Sequence, residues 1–158
     1  MNEFMKQAYE ASMVNAYDNF KAGGPFGAVI VKDDKVIATA NNTVLLSHDP
    51  TAHAEINVIR KATSILHTHD LSGCVLYTSC YPCPMCMGAI IWANIEKVYY
   101  GNTKEDAAEI GFRDDMIYET IKKVNVKKNF EHLKLKQIDR EETIKAFEEF
   151  KKLNGKMY

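Results

Sequence analysis

Residues 74–100 read CVLYTSCYPCPMCMGAIIWANIEKVYY, and this stretch decides the fold class. Its first five residues form a strand. Pro84 suits the first position of a helix, where its missing N–H costs no hydrogen bond, and that helix runs to Trp92. Residues 96–100 make a second strand. Strand–helix units in succession imply a right-handed crossover and parallel pairing. Upstream, residues 27–32 are apolar and β-branched, Asp33-Asp34 turns the chain, and residues 35–40 return as a hairpin. The sheet is therefore mixed.

The flanks supply helices. Phe4, Met5, Ala8, Tyr9, Met13, Ala16, Tyr17 and Phe20 recur at three- and four-residue steps, an amphipathic helix that should end at Gly23-Gly24-Pro25. Residues 41–50 form a loop. The next helix should start near Asp49-Pro50-Thr51, with Asp49 or Thr51 as its cap. Val58, Ile59, Ala62, Ile65 and Leu66 mark its buried face. After Gly101, residues 105–110, 114–123 and 141–153 are helical, and residues 127–136 form a basic, extended stretch.

The chain has 158 residues, which suits a single domain over 1–158 that buries a core without disulfides. A net charge of -1 advertises no polyanion partner. No apolar run approaches the roughly 20 residues of a membrane span. Met1-Asn2-Glu3-Phe4 lacks the start of a signal peptide, so a reducing cytoplasm is expected. Four cysteines there are metal ligands or free thiols.

His53, Cys83 and Cys86 form a zinc-type ligand set. Catalytic zinc uses three protein ligands and keeps one position for water. Both thiols belong to the start of the Pro84 helix, where free N–H groups and the dipole favour thiolate. Glu55, two residues after His53, is the carboxylate expected to take the water's proton. On a regular helix that step turns Glu55 nearly opposite His53, unless the metal lies off the helix end. The alternative is a closed structural site with Cys80 as the fourth ligand. Cys74 reads as a small buried hydrophobe.

His53-Ala54-Glu55 and Pro82-Cys83-Pro84-Met85-Cys86 reproduce the H-x-E…P-C-x-x-C signature of zinc nucleobase deaminases. Gly24-Pro25-Phe26-Gly27-Ala28-Val29, Asp49-Pro50-Thr51-Ala52, Tyr77-Thr78-Ser79-Cys80 and Gly88-Ala89-Ile90-Ile91-Trp92-Ala93 further resemble the bacterial guanine deaminases. So do residues 107–112 and the C-terminal tyrosine. The resemblance implies a three-layer α-β-α cytidine deaminase-like fold around a mixed sheet of about five strands. It also implies one zinc ion per subunit and conversion of guanine to xanthine and ammonia. The implied partner is a second copy of the chain, in a homodimer that can exchange residues 125–158, so that Tyr158 closes the neighbouring site. Otherwise Tyr158 is a frayed terminus.

For the purine base, Phe26 is a stacking wall or an ordinary core residue at a strand start. Asn42 reads the base edge or serves a turn. Ala54 and Trp92 join the pocket by resemblance; without it Trp92 reads as core. Asp114 accepts from the guanine edge and assists amine protonation, or caps the 114–123 helix, and Asp115 competes for both roles. Arg113 stands where that family has an acidic residue.

Other readings remain, among them deamination of another small aminated base such as cytosine or a related purine. A tRNA adenosine deaminase shares both motif halves, and Lys122, Lys123, Lys127, Lys128, Lys134 and Lys136 form a basic run. Asp139, Glu141, Glu142, Glu148 and Glu149 follow and cancel much of that field, so a nucleic-acid partner is not expected. A retired deaminase serving as a binding module would have no reason to keep both the ligands and Glu55.

Overall fold

The computed structural model describes residues 2–112, 114–126, 129–130, 133–134, 137 and 139–153. The chain divides into two units, Met1–Asp115 and Met116–Tyr158.

The first unit is built on a mixed sheet. Strands β1 (Gly27–Lys32) and β2 (Lys35–Asn41) pair antiparallel, with Gly27 opposite Asn41 and a register shift between Ile30 and Val31. Asp33 and Asp34 both hold positive φ, at 48° and 57°, as a two-residue hairpin turn matched to strand twist requires. β1 also pairs antiparallel with β3 (Val75–Cys80), which pairs parallel with β4 (Lys97–Asn102). The strand order is β2-β1-β3-β4. Among the described residues the sheet has four strands rather than about five. After β4 the chain turns helical, because Thr103 and Asp106 cap each other's backbone N–H groups and open helix α5 (Lys104–Glu109).

Helices cover both faces of this sheet. On one face Ala8 packs with Val29 and Val31, joined by Phe4, Met5 and Tyr77. Ala8 belongs to α1 (Glu3–Val14), whose first N–H groups donate to the Asn2 side chain. On the other face Ala54, Val58, Ala62 and Ile90 pack with Ala28, Ile30, Ala38 and Leu76. These come from α3 (Ala54–Leu66) and α4 (Pro84–Trp92). The layering is thus α-β-α. Fully burying one such Ile or Leu contributes about 1.5–3 kcal/mol.

Several boundaries differ from the sequence expectation, for local reasons. The first helix stops at Val14, tightens into a 3-10 turn over Asn15–Asp18, and reverses at Asn19 and Phe20 with φ of 57° and 59°. Asn15 is buried and donates its amide to the carbonyls of Gly24 and Asn42, both at 2.8 Å. These long-range bonds hold it at the helix end, although the apolar periodicity runs on. The loop over residues 41–50 contains one helical turn, α2 (Val44–Ser47). Helix α3 begins at Ala54, beyond Asp49-Pro50-Thr51. Asp49 instead closes a tight turn, accepting from the Thr51 N–H at 2.8 Å and hydroxyl at 2.6 Å. Ile65, expected on its buried face, is 50% exposed.

The second unit carries most of α6 (Asp115–Val126), a short ladder of β5 (Asn129–Phe130) with β6 (Leu133–Lys134), and α7 (Arg140–Lys152). The basic stretch is therefore partly extended, and among the described residues its two strands pair with each other. Among the described residues no helix is long and apolar enough to cross a membrane.

Candidate active site

The site is assembled from two helix starts of the same design. His53 caps α3 with extended backbone (φ −67°, ψ 158°), and Cys83 caps α4 in nearly the same conformation (φ −65°, ψ 167°). Each residue stands off its helix end. This removes the difficulty of the two-residue spacing: His53 precedes α3, so no helical rotation separates it from Glu55. Cys86 follows in the first turn of α4, and its N–H meets the Cys83 sulfur at 3.5 Å.

The three ligand-type side chains converge. His53 Nδ1 lies 3.6 Å from the sulfurs of both Cys83 and Cys86. Tetrahedral zinc, about 2.3 Å from sulfur and about 2.0–2.1 Å from nitrogen, would set such donors roughly 3.6 Å apart. Among the described residues, His53, Cys83 and Cys86 are the group of His, Cys, Asp and Glu able to share one ion. Cys80 stays outside it. Its thiol donates to the Thr103 carbonyl at 3.4 Å, and burial pushes it up to about 11. The closed four-ligand alternative therefore loses its fourth ligand, and the donor set is the three-ligand type that leaves room for water. Cys74 is buried, as expected.

The electrostatics follow from burial and contact. Cys83 is drawn down to about 4, first by the hydrogen bond from the Cys86 thiol and then by His53 and the Cys86 N–H. Cys86 is pushed up, first through that same bond and then by burial. His53 is raised, chiefly by its hydrogen bond to Cys83. Glu55 is 6% exposed, and desolvation pushes its carboxyl above the ordinary range. One oxygen, Oε1, accepts from the Thr78 hydroxyl at 3.0 Å; the other, Oε2, lies 3.5 Å from the Cys86 sulfur.

A cavity of about 240 Å³ opens on this centre, with His53, Glu55, Cys80 and Cys83 among its lining residues. Phe26, Asn42, Phe112 and Asp114 contribute to the wall. The rings of Phe26 and Phe112 meet edge to face, with centroids 4.9 Å apart. Two glycines make the closeness possible. A Cβ on Gly23 would fall 2.2 Å from Asn42 Oδ1, and one on Gly24 would fall 2.8 Å from both phenyl rings.

The expected substrate residues separate into groups. Phe26, Asn42 and Asp114 line the cavity. Ala54 is fully buried in the core and does not line the cavity. Trp92 ends α4 at 70% exposure and does not line the cavity, because the buried face of α4 runs through Cys86 and Ile90. Arg113 and Tyr158 lie outside the described residues, as does the side chain of Asp115. Sequence reasoning missed Tyr81 in the wall and Thr78 behind Glu55. Thr78 had a signal: in a strand of period two it shares the face of Leu76, a polar residue on a buried side.

Residues 1–102 match the family described as the cytidine and deoxycytidylate deaminase zinc-binding region, and the chain belongs to that family. Its site takes one zinc ion, for which the donor set and spacing above are fitted. The relatives point further. The chain is 56% identical to the guanine deaminase of Bacillus subtilis (strain 168) over 105 residues, 66% of this chain and 67% of that one. It superposes on the solved guanine deaminase from Bacillus subtilis with a TM-score of 0.90 and 42% identity, covering 100% of this chain and 99% of the other. It is also 46% identical to the tRNA-specific adenosine deaminase of Agrobacterium fabrum (strain C58 / ATCC 33970) over 91 residues, 56% of this chain and 60% of the relative.

Proposed function

We propose that this chain hydrolyses guanine to xanthine and ammonia. The observation that carries the reading is a single cavity in which Phe26, Asn42 and Asp114 face the centre that holds Glu55 and two of the three metal-type ligands. A flat base needs an apolar wall and a few polar groups aimed at its edge. Phe26, braced by Phe112, supplies the wall. Asn42 accepts at Oδ1 from the Val44 N–H at 3.1 Å, while its amide nitrogen donates to none of the described residues and is available to the base. Asp114 accepts from guanine's ring N–H or amino group.

His53, Cys83 and Cys86 would hold zinc, which would supply a water acidic enough to ionise near neutral pH. Glu55 takes a proton from the attacking water and passes it to a ring nitrogen as the water oxygen bonds to carbon 2. Glu55, assisted by Asp114, then takes the proton of the new hydroxyl on carbon 2 and delivers it to the exocyclic amine, leaving a carbonyl at carbon 2. The carbon–nitrogen bond breaks and ammonia leaves. Burial suits Glu55 to this work, since a carboxyl raised toward neutrality both accepts and returns a proton.

Lys122, in the basic run, pairs with Glu119 at 2.9 Å, so part of the field that would draw RNA is neutralised. The same reading places the enzyme in the cytoplasm as a homodimer of single-domain subunits. Residues 125–158 are then exchanged, and Tyr158 closes the partner's cavity. The test is ammonia release from guanine, adenine, cytosine, their nucleosides and tRNA. Guanine is expected to be the preferred substrate. Release from tRNA adenosine or cytosine without release from guanine would overturn the reading.

A further inference from the structure

We infer that Thr78 is a positioning residue, which pins one oxygen of Glu55 so that the carboxylate presents a fixed face to the reacting base; the inference rests on the deaminase reading above. The Thr78 hydroxyl donates to Glu55 Oε1 at 3.0 Å, and the residue is only 1% exposed. Thr78 does not line the cavity, so it touches Glu55 and not the base. Its place in β3 is a boundary. Leu76, two residues before it on the same face, belongs to the core, and Cys80, two residues after it, lines the cavity.

The anchor is rigid for structural reasons. Thr78 sits in the middle of the sheet, opposite Ala28 on β1 and Tyr100 on β4, so neighbours on both sides fix its backbone. Its β-branched side chain has few rotamers. A glutamate side chain, by contrast, has three rotatable bonds, and proton transfer demands hydrogen-bond reach and alignment. Fixing Oε1 removes most of that freedom and orients Oε2 through the planar carboxylate. A misplacement of about 1 Å at such a group can cost about 100-fold in rate.

The experiment compares zinc-loaded wild type with Thr78→Val, which keeps the shape and removes the hydroxyl, and with Thr78→Ser and Thr78→Ala. Steady-state kinetics on guanine are read together with zinc content. Thr78→Val should lower kcat about 10–100-fold, the range for losing an outer partner of a metal site. Its KM should stay within about twofold and its zinc at one per chain, because neither base nor metal is touched. Thr78→Ser should recover most of the turnover. Should Thr78→Val fail to fold, the Ser and Ala variants answer alone, with Ser expected about tenfold or more faster than Ala. A Thr78→Val enzyme with wild-type kcat, a Thr78→Ser enzyme as slow as Thr78→Ala, or a loss explained by missing zinc overturns the inference. Wild type that releases no ammonia sinks the functional reading and takes this inference with it. An active wild type with unaffected variants sinks this inference alone.

Discussion

Glu55 sits where a charge is expensive, 6% exposed beside a sulfur, with its own backbone N–H and the Thr78 hydroxyl to offset part of the cost. A structural role would favour a neutral group there; a proton carrier requires the acid. Glu55→Gln separates these. It keeps the shape and the capacity to accept from Thr78, so the protein should fold and hold one zinc. Ammonia release should fall by at least about 100-fold, the lower range for removing a general acid–base group. Near-normal turnover would exclude Glu55 as the shuttle. The two sulfurs make a second residue-scale prediction. The hydrogen bond between them holds the Cys83 thiol down and pushes the Cys86 thiol up. Zinc requires both as thiolates, so binding must expel protons and affinity should rise with pH. Competition of the metal-free protein against a chelator of known zinc affinity, repeated between about pH 6 and about pH 8, should show this rise, and an affinity that does not change with pH would contradict the thiolate ligands.

At the scale of elements, the site depends on where helices begin and end. The ligands were legible in the sequence because metal chemistry restricts residue type and spacing, as in Pro82-Cys83-Pro84-Met85-Cys86. The parallel β3–β4 pair was legible because Pro84 opens the connecting helix. The end of α1 was not, because Asn15 makes its bonds 9 and 27 residues away, at Gly24 and Asn42. Those partners are meaningful only in three dimensions: one lies beside the phenyl wall and the other lines the cavity. Asn15 also accepts from the Asn41 amide at 2.6 Å, so one side chain ties the end of α1, the glycine turn and the end of β2 together. Asn15→Ala would leave two carbonyls without this donor, at about 1–3 kcal/mol for each buried group left unsatisfied. If part of that cost appears as a loosened wall, KM for guanine should rise about tenfold, which corresponds to about 1.4 kcal/mol. Zinc content should not change. Saturation kinetics with metal analysis check this, and a variant with altered melting but unchanged KM would confine Asn15 to stability.

At the scale of the molecule, the division of labour between core and metal is the remaining question. The hairpin and the two parallel strands were legible in the residues, whereas the count of about five came with the resemblance; among the described residues the sheet ends at β4. The main core cluster, with Ile30, Val58, Leu71 and Leu76 among its fully buried members, includes none of the three ligand-type residues. Cys83 and Cys86 pack instead with Ile56 in a separate small cluster. The α-β-α layering therefore brings the starts of α3 and α4 together through packing that does not depend on the ligands. The protein is thus expected to stay folded without metal, unlike a zinc finger, where metal binding is folding. Zinc should still stabilise, by about 2.7 kcal/mol at a free concentration 100-fold above Kd and about 4.1 kcal/mol at 1,000-fold. For a protein of this length, each kcal/mol shifts Tm by roughly 2–4 °C. Chelation should thus lower Tm by roughly 5–15 °C while far-UV circular dichroism and cooperative melting persist, and zinc returned afterwards should restore activity. Loss of secondary structure at 25 °C on chelation would show instead that the metal holds α3 and α4 in place, and the site would have to be read as structural as well as catalytic.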